Sequence, residues 1–123
     1  MTQHVLAMAY QANGQVKDAV RLLEQVVAIE GRVLAEDHPD RLVSQQVLAS
    51  AYLADGQVKD AVRLLEQVVA IRERVLAEDH PDRLASQHVL AMAYQANGQV
   101  KDAVRLLEHV VAIREREIGR AHV

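Results

Sequence analysis

From Val58 onward, Val58, Ala61, Val62, Leu65, Val68, Val69, Val75 and Leu76 recur at three- and four-residue steps, the spacing that aligns one face of a helix. Leu64 and Ile71 add apolar surface outside that stripe, so the helix is expected to be covered from two directions, as in a stack of helix pairs. The segment before it, Val47 to Ala54, is a shorter helix rich in small residues, which let two backbones approach closely. Breaks separate the helices. Asn13-Gly14, Asp55-Gly56 and Asn97-Gly98 end the shorter ones, with glycine free to take the left-handed conformation that closes a helix. These dipeptides also mark β-hairpins, but their flanks are helical and not alternating. The second break, Glu36-Asp37-His38-Pro39-Asp40, returns as Glu78-Asp79-His80-Pro81-Asp82. Proline fits the first turn of a helix, an aspartate there favours the positive end of the dipole, and Asp79 or His80 is the expected N-cap. The pattern predicts six helices, at roughly 2–13, 15–35, 40–55, 57–77, 82–97 and 99–118.

The same pattern exposes a repeat. Gln3 to Ser44 recurs as Gln45 to Ser86, a period of 42 residues, and begins again at Gln87. The first two copies differ at 7 of 42 positions, as after recent duplication, copy-to-copy homogenisation or consensus design. The expected organisation is one domain, residues 1–123, with repeats at 3–44, 45–86 and a truncated 87–123. A continuous coiled coil is excluded by the Gly and Pro breaks inside every copy. The expected core is Leu48, Ala51, Tyr52, Ala61, Leu65 and Val69 with their equivalents.

The spacing Leu48-Ala49-x-x-Tyr52-x-x-x-Gly56, followed by Ala61-x-x-x-Leu65, resembles the tetratricopeptide repeat (TPR) signature. Leu6, Ala7, Tyr10, Gly14, Ala19 and Leu23 carry it in the first copy, and Leu90, Ala91, Tyr94, Gly98, Ala103 and Leu107 in the third. The tail from Ile71 to Asp82 is similar to the 42-residue variety found in kinesin light chains. Near-identical tandem copies also resemble the repeat regions of NLR-type receptors, especially fungal ones. Gln45 and Gln87 stand where the family often has an aromatic, and no nucleotide-binding module is present. The resemblance implies an all-α, right-handed solenoid of three helix-turn-helix repeats, six antiparallel helices in all. It implies a protein-protein interaction scaffold that binds a peptide or protein on its concave face, and not an enzyme.

Composition narrows the remaining choices. The chain has 123 residues, half of them apolar, yet no Phe, Trp or Cys, so the core is built from Ala, Val, Leu and Ile. The lack of Cys removes disulfides and thiolate metal sites and fits a reducing compartment, with the cytoplasm as the expected location. Fourteen basic and 17 acidic residues are interleaved, leaving no basic stripe for nucleic acid. The first residues lack the charged lead-in and apolar run of a signal peptide, and no stretch is apolar enough to span a membrane. His-Pro-Asp also occurs in J-domain co-chaperones, but here it appears twice at the repeat period in an acidic setting, as a helix start. It has no nucleophile or phosphate loop beside it. The six His show no His-x-x-x-His spacing, so no metal or cofactor is expected. The mixed charges of the long helix read as a solvated face, against a DNA-reading helix.

The candidate binding residues come from where the copies differ. Three differences fall in the shorter helix: His4, Gln46 and His88; Met8, Ser50 and Met92; Gln11, Leu53 and Gln95. Their spacing of i, i+4, i+7 puts them on one stripe facing away from Leu48, Ala51 and Tyr52. Side by side in a stack, they would form a mixed polar and soft apolar strip suited to an extended peptide or helix. The alternative is a designed or purely structural repeat with no natural ligand. Solenoid ends expose apolar surface. Val5 to Tyr10 is unprotected, so self-association through the repeat ends is expected. At the other end Glu117 and Gly119 replace Val75 and Ala77 and the Asp-His-Pro-Asp restart is absent, which predicts that the stack stops there.

Overall fold

The computed structural model describes residues 2–121. Among them the chain forms six helices and no strand: α1 (Thr2–Ala12), α2 (Val16–Val33), α3 (Pro39–Ala54), α4 (Val58–Val75), α5 (Pro81–Ala96) and α6 (Val100–Ala121). Short connections make consecutive helices antiparallel, and each packs on the helix before and the helix after it, so the molecule is an α-solenoid of three hairpins. No helix among the described residues is long and apolar enough to cross a membrane.

Local chemistry sets the breaks. At the end of α3, Gly56 has φ +77°; its amide donates to the Leu53 carbonyl (3.2 Å) and that of Gln57 to the Tyr52 carbonyl (2.8 Å). This is a Schellman closure, which calls for a residue at ease in the left-handed region. Of the two N-cap candidates, it is the histidine that caps. His38 Nδ1 accepts from the Asp40 amide (3.1 Å) and His80 Nδ1 from the Asp82 amide (3.0 Å), with Pro39 and Pro81 opening the helices.

Two similar apolar clusters hold the stack. Ala7, Ala19, Val20, Leu23, Leu48 and Ala51 join α1, α2 and α3. Ala49, Ala61, Val62, Leu65, Val69, Leu90 and Ala93 join α3, α4 and α5. The alanines let short helices approach: α1 comes close to α3 and α3 to α5, whereas among the described residues the backbones of α2, α4 and α6 stand further apart. The side on which neighbours draw together is the inner, concave side of the stack, so the short helices line it.

The structure corrects several expectations. The first two long helices stop at Val33 and Val75, two residues short of the expected ends, where Leu34 and Leu76 turn extended. Tyr52 is only half-buried. The last helix runs past the expected residue 118 to Ala121, because without a His-Pro-Asp break nothing interrupts it. Arg116 to Glu78 and Arg120 to Asp79 (3.9 Å) tie that extension back to the preceding loop. Glu117 and Gly119 change only the helix end, while Val104 is 50% exposed where its equivalent Val62 is 7% exposed.

Candidate binding face

The nine candidate residues divide into two groups. Met8, Ser50, His88, Met92 and Gln95 are exposed on the short-helix side, with Met8 and Met92 62% and 51% accessible, and Gln11 is half-buried. Met8, Ser50 and Met92 occupy equivalent positions on α1, α3 and α5, so they form a row across the inner side. The other three are held by the fold. His4 Nε2 is hydrogen-bonded to the buried Ser44 hydroxyl (2.9 Å). Leu53 packs against the cluster around Leu65, which corrects the reading that it faces wholly outward. Gln46 Oε1 accepts from the Arg72 guanidinium (2.6 Å).

Comparing α3 with α5 adds a fourth position that sequence spacing missed. The two helices differ only at Val43/Ala85, Gln46/His88, Ser50/Met92 and Leu53/Gln95. At 3.6 residues per turn, offsets of 0, 3, 7 and 10 fall within about 80° of one another. Val43 and Ala85 are exposed at the N-terminal end of the same stripe. The signal for them was available, since they are the seventh difference between the first two copies and lie three residues before Gln46 and His88.

The stripe carries no carboxylate, lysine or arginine, and charge is concentrated on the opposite side. There, a groove of about 580 Å³ between α4 and α6, floored by α5, is lined by Glu66, Glu73, Asp102, Arg83, Arg105 and His109 among others. In it the Tyr94 hydroxyl donates to Glu66 (2.7 Å) and Gln87 Nε2 to Glu73 (2.9 Å). Burial, and then the hydrogen bond to the carboxylate, push the Tyr94 phenol above its ordinary range, and Tyr52 is shifted the same way beside Glu24. The Arg72 guanidinium, buried between the short helices, donates to Gln46 and to the Asp82 carbonyl (3.2 Å), and burial pulls its pKa down. Among the described residues no group of three His, Cys, Asp or Glu could hold a metal ion. The uncharged stripe therefore suits burial of apolar and amide groups, with the tyrosine and arginine networks serving to join helices.

A family model described as tetratricopeptide repeat matches residues 1–74 and 48–116. A putative kinesin light chain from Podosopora anserina with nearly identical TPR-like repeats, solved by crystallography, superposes with a TM-score of 0.92 at 63% identity. The match covers 94% of this chain and 55% of that one, so this chain spans about half the length of that relative. BtubC (BKLC) from P. vanneervenii matches with a TM-score of 0.82 at 19% identity, over 95% of this chain and 47% of that one. The TPR domain of Arabidopsis FLU matches with a TM-score of 0.76 at 13% identity, over 94% of this chain and 93% of that one. The last two establish likeness of fold. No functionally curated protein matches the chain in sequence.

Proposed function

Because the chain belongs to the tetratricopeptide repeat family, whose members generally mediate protein-protein interaction, we propose that it is a scaffold that takes an extended peptide or an amphipathic helix on its concave, short-helix face. The observation that carries this reading is the confinement of all four differences between α3 and α5 to one stripe on that face. A recognition array keeps its scaffold constant and varies the surface it presents. Met8 and Met92, flanking Ser50, offer flexible apolar contact, and Gln11, Gln95 and His88 offer hydrogen bonds at its edge. Selection of a random-peptide display library against the wild-type chain and a Ser50→Met, Met92→Ser double variant tests the site. The variant should melt within about 1 kcal/mol of wild type, because both positions are exposed, and should enrich different peptides. Identical enriched sequences would place the site elsewhere.

The specific setting we favour is the ligand-sensing repeat region of an NLR-type receptor in the cytoplasm, supported by near-identical copies that vary along one stripe of the short helices. A Walker-type ATPase encoded on the same polypeptide would establish it; a full-length transcript without one would remove it. Nearly identical TPR-like repeats also occur in the putative kinesin light chain of Podosopora anserina, so such likeness does not require a designed array.

A further inference from the structure

We infer that the two end faces of the solenoid are complementary, and that a second copy of this chain docks its α1 on the exposed face of α6, head to tail. The template is the contact between α4 and α5 within the molecule. There Val62, Leu65 and Val69 of α4 meet Leu90 and Ala93 of α5, with Val89 packed alongside. Forty-two residues later α6 presents the same side chains at the same spacing, Val104, Leu107 and Val111, with no helix over them among the described residues. Val111 is 49% exposed where Val69 is 5% exposed. The other half of the contact is equally bare on α1, which carries Val5, Leu6 and Ala9 where α5 carries Val89, Leu90 and Ala93. Leu6 is 43% exposed and Leu90 4% exposed.

The polar groups repeat as well. The α4 wall of the outer groove is formed by Glu66, Val69, Ala70 and Glu73. The corresponding crevice on α6 is lined by Glu108, Val111, Ala112 and Glu115. Since Tyr94 donates to Glu66 and Gln87 to Glu73, a docked copy would set Tyr10 against Glu108 and Gln3 against Glu115. Docking in this register therefore satisfies the carboxylates and covers the valines at once. It is a heterologous contact, in which different surfaces meet, so it propagates instead of closing as a two-fold dimer.

Sedimentation velocity on the wild-type chain and on Leu6→Glu and Val104→Glu variants tests this. Both positions are surface-exposed, and circular dichroism checks that each variant stays helical. Wild type should gain average mass, at least doubling, between about 10 μM and about 1 mM, as suits a modest interface. Each variant alone should remain monomeric, because one of the two required faces is blocked in every molecule. An equimolar mixture should form dimers and go no further, since only the α1 of Val104→Glu and the α6 of Leu6→Glu remain able to pair. A monomeric wild type at the top concentration would overturn the inference. So would a Leu6→Glu variant that still associates, which would mean that the α6 face pairs with itself or with some other surface.

Discussion

At Gln46 and Arg72, two of the differences between the first two copies fall on side chains that touch; the third copy combines His88 with an arginine, Arg114, that is exposed. The first copy has His4 and Glu30 at these positions, lining a common crevice, and the second has Gln46 and Arg72, joined by a 2.6 Å hydrogen bond. Arg72 is only 5% exposed and has two acceptors, Gln46 and the Asp82 carbonyl, so losing the first leaves part of a buried guanidinium unsatisfied, which costs more than the hydrogen bond itself. Gln46→His alone should therefore destabilise the chain by about 1–3 kcal/mol in urea melts. Adding Arg72→Glu removes the unsatisfied guanidinium itself, so the two effects should not add, giving a coupling of about 1 kcal/mol or more in the double-mutant cycle. Additive effects would show that the two positions vary independently. This coupling was invisible in the sequence, where the residues lie 26 apart on different helices and one was read as groove and the other as part of a solvated face, a reading that the burial of Arg72 corrects. The buried Ser44, Ser86, Gln45 and Gln87 were missed for a related reason, since polar residues gain burial from partners that periodicity does not reveal.

Between elements, the same short list of contacts is used twice. The Tyr52 hydroxyl reaches back from α3 to Glu24 on α2, and that of Tyr94 from α5 to Glu66 on α4, both at 2.7 Å. Periodicity, the Asx-Gly turns and the His-Pro-Asp starts made the helices and their order legible, because those signals are local. The tyrosines were legible only as core; their hydroxyl ends depend on which long helix lies across them. Because burial and the adjacent carboxylate raise both phenols, the folded chain holds them neutral more strongly than the unfolded chain does. Their contribution is thus fully present below the ordinary phenol pKa of about 10 and declines as pH rises above it. Thermal melts should show stability falling above about pH 10, and Tyr94→Phe should make that fall shallower. An unchanged slope in the variant would mean that burial and the contact with Glu66 together do not distinguish the folded from the unfolded phenol.

For the whole molecule, a linear stack has no single centre, so stability must vary along it. Among the described residues, α3, α4 and α5 are covered on both sides, whereas α6 packs on α5 alone and α1 carries the open face with Leu6. The first hairpin is weaker for a second reason. Leu42 packs with Val68 and Ile71, and Leu84 with Val110 and Ile113, whereas Val26 and Ile29 join no such cluster among the described residues. Ile29 is accordingly 52% exposed where Ile71 is 6% exposed and Ile113 2% exposed. Amide hydrogen exchange at micromolar protein should therefore be slowest in the middle of α3 to α5, faster in α6, and fastest in α1 and the C-terminal half of α2. Raising the concentration should slow exchange selectively in α1 and α6 if copies stack, and leave α3 to α5 unchanged. Uniform protection along all six helices at low concentration would show that the three hairpins open as one unit. In that case the exposed end faces do not weaken the helices that carry them.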